Sequence, residues 1–115
     1  MPTEHIDLSN LERLFRGNRS LVIDWMLLYM QEAPIYFKQL SDSVEIGDAE
    51  TLATAAHDLQ PQAHYLGSAR MAELLAAIEE QALKGNAQGC SDLMHALLPV
   101  REAIEDELRS VLNAT

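Results

Sequence analysis

Apolar positions along this chain recur every three or four residues and almost nowhere every two. From Leu52 the series Leu52, Ala56, Leu59, Ala63, Leu66 alternates steps of four and three, the period of a stripe buried along one side of an α-helix. Similar spacing runs through Met71, Leu74, Leu75, Ile78 and Ala82, and again through Leu93, Leu97, Val100, Ile104, Leu108 and Leu112. An earlier segment holding Leu21, Ile23, Trp25, Met26, Leu28, Tyr29 and Met30 is dense enough in large side chains to be mostly buried. Period-two alternation is missing and β-branched residues are sparse, so no strand is predicted.

Turn and cap residues divide these stripes into helices. Ser9 followed by Glu12 is a capping-box pattern and predicts a short helix over 11–15, closed by Gly17 and Asn18. The segment from 20 to 32 is a helix that either kinks just before Pro34 or restarts there, with Ile35, Phe37, Leu40 and Val44 turned inward in its second half. Asp48 caps a helix over 49–66. Pro61 in that helix removes the hydrogen bond to the carbonyl of His57, which costs about 3 kcal/mol and predicts a kink. A fourth helix ends at Lys84, Gly85 and Asn86, and a last one covers about 87–112 with Pro99 as a further kink point. The fold class is therefore all-α: a single domain over 1–115, an up-down antiparallel four-helix bundle with a short extra N-terminal helix.

Composition narrows the function without changing this picture. Eight Lys and Arg stand against eighteen Asp and Glu, a formal charge of −10, and the basic residues form no stripe. Nucleic acid and anionic lipid, which need local positive charge, are not expected partners. No apolar stretch approaches the roughly 20 residues that cross a bilayer, and the first residues carry no secretion signal. Cys90 is the only cysteine, so an internal disulfide is excluded and a reducing, cytoplasmic location is expected.

Candidate chemistry concentrates between Ala55 and Gly67. His57 lies off the buried stripe, and Gln60, Pro61 and His64 share its flank of the helix. His57 and His64 are about 10 Å apart along the axis, too far to share a metal ion, and no His-x-x-x-His or Glu-x-x-His pair occurs. Glu79 and Glu80 read as a solvated face beside the stripe of Leu75, Ile78 and Ala82. No glycine-rich phosphate loop and no recognisable Cys-His or Ser-His-Asp spacing appears. His5 and His95 belong to no pattern.

The run Ala56-His57-x-Leu59, then Ala63, Leu66-Gly67, and Leu74 and Glu79 in the next helix, resembles the histidine-containing phosphotransfer (HPt) domain of two-component phosphorelays. The resemblance covers nearly the whole chain, from the short first helix through Glu32 and Pro34, the Gly47-Asp48 turn and Gly85. It implies that His57 accepts a phosphoryl group from the phosphoaspartate of a receiver domain and passes it to another receiver. It further implies no kinase activity, no cofactor on this chain, and Mg²⁺ held by the receiver. Response-regulator receivers and a hybrid histidine kinase are the implied partners, and a monomer is expected. Where the family has leucine, lysine, glycine and serine after its histidine helix position, this chain has Leu59, Gln60, Pro61 and Gln62. Gln60 offers a neutral amide in place of the charged phosphoryl contact. Taking Gly47 as a mirror point places Lys38 near the level of His57, as a substitute cation. Docking is expected around His57 with Gln60, Pro61, His64 and Lys38. The alternative is an HPt-like adaptor that docks a receiver or kinase without being phosphorylated.

Overall fold

A computed structural model describes residues 5–114. The order is α1 (Ser9–Leu14), α2 (Arg19–Ile46), α3 (Ala49–Leu66), α4 (Ala69–Leu83), a 3₁₀ turn (Gln88–Cys90) and α5 (Ser91–Asn113), with no strand among the described residues. Helices α2 and α4 each pack against both α3 and α5, which closes an antiparallel four-helix bundle. Helix α1 lies against α2 and α3 at one end. The 28 residues of α2 span about 42 Å at 1.5 Å per residue, the full length of the molecule.

The α3 stripe is buried as its spacing predicts: Leu52, Ala56, Leu59, Ala63 and Leu66 all lie in the core, joined by Ala53. Both ends of α3 are closed by local chemistry. The Asp48 carboxylate accepts the N–H of Thr51 at 3.1 Å, and Gly67 takes a left-handed conformation after the last turn. Ser68 then caps α4 through the N–H of Met71 at 3.2 Å.

Of the two outcomes expected at Pro34, a kink or a restart, helix α2 excludes the restart, running through the proline as one helix. Val22, Met26, Tyr29, Ala33, Phe37, Leu40 and Ser43 form one buried stripe that runs past the proline without a break. Pro34 itself is exposed, so the Met30 carbonyl that loses its helical partner lies on the wet side of the helix. Pro61 and Pro99 are likewise exposed and interior to continuous helices. The same stripe corrects the prediction that Ile35 points inward. Two residues from both Ala33 and Phe37, Ile35 is rotated about 200° away from them and is 68% exposed. Leu21 and Leu28, expected in the core, are exposed for the same reason.

The expected capping box at Ser9 is also replaced. Helix α1 starts after Leu8 with no side-chain cap, and it is Asp7 whose carboxylate accepts from the N–H (3.0 Å) and hydroxyl (2.6 Å) of Ser9. These bonds hold the Asp7 carboxyl below its ordinary pKa. At the other end of the chain the predicted helix over 87–112 begins only at Ser91, after the 3₁₀ turn that buries Cys90.

The arm from His5 to Leu8 ties the ends of two helices together. The N–H of Asp7 donates to the carbonyl of Leu66 at 2.8 Å, and the Asn10 side-chain amide donates to the carbonyl of His64 at 3.1 Å. The N–H of His5 donates to Glu107 on α5 at 2.9 Å, the His5 ring also meets that carboxylate, and Ile6 is buried beneath.

Between α2 and α5 the core holds a polar insertion. Arg101 donates to the buried Glu105 at 2.8 Å, and its guanidinium lies 4.7 Å from the centre of the Phe37 ring. Nearby, Tyr29 stacks on Trp25 with ring centres 5.8 Å apart, and its buried hydroxyl has no hydrogen-bond partner among the described residues. Burial, with the charge of Glu105 added, holds that phenol well above its ordinary pKa. A buried hydroxyl without a partner costs about 1 kcal/mol or more. Tyr29→Phe is therefore expected to raise the thermal midpoint by about 4 °C, measured by circular dichroism. A lowered midpoint would mean that the hydroxyl contributes a bond.

Candidate functional site

His57 stands on the outward ridge of α3, and its side chain is 70% exposed. Its neighbours Ala53 and Ala56 face the core, while the imidazole projects from the other side of the helix. Across the groove on α4, the carboxylate of Glu79 lies 2.9 Å from His57 Nδ1 through its Oε2. The other oxygen of Glu79, Oε1, accepts a hydrogen bond from Gln60 Nε2 at 2.8 Å. Glu79 is only 23% exposed, with an oxygen engaged by each of two residues one helical turn apart.

This contact decides the protonation pattern of the ring. An ionised carboxylate can only accept, so the atom facing it, Nδ1, carries the proton. In the neutral imidazole Nε2 then bears the lone pair. The arrangement leaves Nε2, the nitrogen with the lone pair, on the side of the ring away from Glu79.

A shallow hollow of about 310 Å³ surrounds this pair, lined by Ala53, Thr54, His57, Glu79 and Leu83. Leu83 is exposed and apolar, and among the described residues no Lys or Arg lines the hollow. On the other side of the ridge, Asp58 is exposed and its charge reaches Tyr36 of α2. The Tyr36 hydroxyl donates to Glu32 at 2.7 Å, and this bond, followed by burial and the charges of Glu32 and Asp58, raises its pKa.

The remaining residues singled out in the sequence are distributed around this centre. Gln60 is half-buried and turned toward Glu79, Pro61 is exposed on the ridge one turn beyond His57, and His64 is exposed near the end of α3. Lys38 lies elsewhere: its ammonium bonds Asp42 on its own helix at 2.6 Å, which raises its pKa, and it lines a separate hollow of about 400 Å³ with Ile35, Ile46 and Thr51. The residue that sequence reasoning undervalued is Glu79, read there as solvated. The signal was available in the hairpin formed by α3 and α4: folding the chain about Gly67 brings Glu79 to the level of His57 and Gln60.

A family model for the Hpt domain matches residues 24–114. The chain belongs to the Hpt domain family. Two solved structures share its fold. One is the histidine-containing phosphotransfer protein B (HptB) of Pseudomonas aeruginosa PAO1, 17% identical, covering 99% of each chain with a TM-score of 0.88. The other is the HPT domain of an Hpt sensor hybrid histidine kinase from Shewanella, 14% identical, covering 96% of this chain and 95% of that one with a TM-score of 0.81. No curated protein matches the sequence. The all-α bundle expected from the hydrophobic spacing is thus the Hpt fold, and the short α1 and the arm before it lie outside the family match. Among the described residues no helix of this Hpt domain is long and apolar enough to cross a membrane.

Proposed function

We propose that His57 is the phosphoryl acceptor of this Hpt domain and that it works between receiver domains. The observation that carries the reading is the pairing of an exposed imidazole with Glu79 through Nδ1, which leaves Nε2 as the nucleophile. The Nε2 lone pair attacks the phosphorus of a receiver's phosphoaspartate in line. The N–P bond forms as the P–O bond to the aspartyl oxygen breaks, and the electron pair leaves with the aspartate carboxylate. The ring becomes cationic while Nδ1 keeps its proton, and Glu79 stabilises that charge where it develops. Transfer to a second receiver runs the same step in reverse.

This chain's own part is therefore to hold a nucleophile in place. On this reading the Mg²⁺ and the groups that balance the phosphoryl charge are supplied by the receiver. The docking face we assign is the ridge of His57, Pro61 and His64 with Gln60 at its flank. Leu83 supplies exposed apolar surface beside it, whereas Lys38 and Ile35 line the separate hollow and lie outside this face. Mixing the purified domain with a receiver phosphorylated at its aspartate is expected to move label onto the domain as acid-labile, base-stable phosphate, read by gel autoradiography after acid or base treatment. Label lost in both acid and base would instead mark a carboxylate acceptor, and label that survives acid but is lost in base a hydroxyl acceptor; either contradicts the assignment.

A further inference from the structure

The position three residues after the histidine, occupied here by Gln60, is expected from sequence to touch the phosphoryl group. The structure turns its amide the other way. Gln60 Nε2 donates to Glu79 Oε1 at 2.8 Å, while Glu79 Oε2 engages His57 Nδ1 at 2.9 Å. A carboxylate only accepts, so it is the NH₂ of Gln60 that faces it. Pairs of exposed, flexible side chains are individually weak because each must be held in one geometry against its rotamer freedom. Glu79 has three rotatable bonds, and with His57 alone its free oxygen would be unanchored. Fixing both oxygens selects one rotamer and directs Oε2 at Nδ1, as an outer partner orients a ligating histidine in a metal site.

We propose that Gln60 is a positioning residue: it holds Glu79 in the rotamer that keeps the proton of His57 on Nδ1, so that Nε2 is presented as the phosphoryl-accepting nitrogen. The choice of an amide matters as well as its place. A neutral donor anchors Glu79 without cancelling its charge, so the full carboxylate remains available to the imidazolium that forms on transfer. A lysine at 60 would anchor the same oxygen and also offset that charge. The inference rests on the acceptor role proposed for His57, but its first readout does not.

The test is two-bond ¹H–¹⁵N correlation NMR of the unphosphorylated domain at a pH where the imidazole is neutral, which reports directly which ring nitrogen of His57 bears hydrogen. Wild type is expected to show the Nδ1–H tautomer. Gln60→Leu, which keeps a half-buried side chain but no donor, is expected to shift the balance toward Nε2–H and to slow phosphoryl uptake about fivefold. Gln60→Lys, which retains a donor to Glu79, is expected to restore the Nδ1–H tautomer. A Gln60→Leu spectrum with the wild-type tautomer, or an Nε2–H tautomer in wild type, overturns the proposal. Because the tautomer is read without phosphate, a shift in Gln60→Leu with no uptake by any variant would support the positioning role and reject the acceptor role.

Discussion

His57→Gln is expected to abolish acid-labile phosphate on the domain altogether while leaving its fold intact. Glutamine can place an amide near the position of Nδ1 and donate to Glu79, but it has no nitrogen with a free lone pair to form an N–P bond. The side chain it replaces is 70% exposed and its backbone lies within α3, whose buried residues are on the opposite side. A surface change of this kind alters stability by about 0.5 kcal/mol or less, so circular dichroism should give nearly the same thermal midpoint for both proteins. Complete loss of label at unchanged midpoint separates chemistry from folding. Label retained by His57→Gln would move the acceptor elsewhere, with His64 the first candidate on the same ridge.

Gly67→Ala is expected to be the most destabilising alanine substitution among the glycines of the chain. Gly67 sits at φ +68°, a left-handed conformation that costs an L-residue with a side chain about 1 kcal/mol or more. A Cβ there would also lie 2.2 Å from the Asp7 carbonyl oxygen and 2.8 Å from its nitrogen, both backbone atoms that cannot rotate away. Relief requires the arm to lift, which breaks the bond from Asp7 to the Leu66 carbonyl and exposes Ile6. Re-exposing one such side chain costs about 2 kcal/mol, for a total of about 3 kcal/mol. The thermal midpoint should fall by about 12 °C. By contrast Gly85→Ala, at a similar positive φ but with nothing near its Cβ position, should cost only the conformational part. Equal midpoints for the two variants would show that the arm does not press on Gly67.

The contrast between these two glycines illustrates what the sequence could and could not reveal. Both read as helix-closing turns, because left-handed geometry is a local property. That Gly67 is also pressed by Asp7 depends on a contact between segments 60 residues apart, which no local pattern encodes. The α3 stripe was fully legible, since burial on one face of a helix imposes its own spacing. Of the two outcomes offered at Pro34, a kink or a restart, the restart does not occur, because the proline falls on a solvated side of the helix while the stripe through Ala33 and Phe37 stays packed across it.

At the site the division is similar. The position of His57 off the stripe marks it as exposed, and the structure agrees. Level alone did not place Lys38, because residues at the same height on adjacent helices can face different grooves: Lys38 faces Thr51 and pairs with Asp42. The contact of Glu79 with His57 and Gln60 was not legible for the complementary reason. Its neighbours Leu75, Ile78 and Ala82 define the core side, and the edge of that stripe, neither core nor solvent, is where a partly buried carboxylate can reach across to α3.

The measurement that addresses the acceptor role most directly is NMR of the domain after phosphorylation by a receiver, held at alkaline pH to preserve the adduct, with ³¹P coupling used to locate the phosphorus on the His57 ring. The account predicts one phosphorus on Nε2 of His57, with Nδ1 still bonded to hydrogen and facing Glu79. Phosphorus on Nδ1, or a receiver that binds the domain and leaves no phosphorus on His57, would contradict it, the latter placing the chain among adaptors that dock without carrying phosphate.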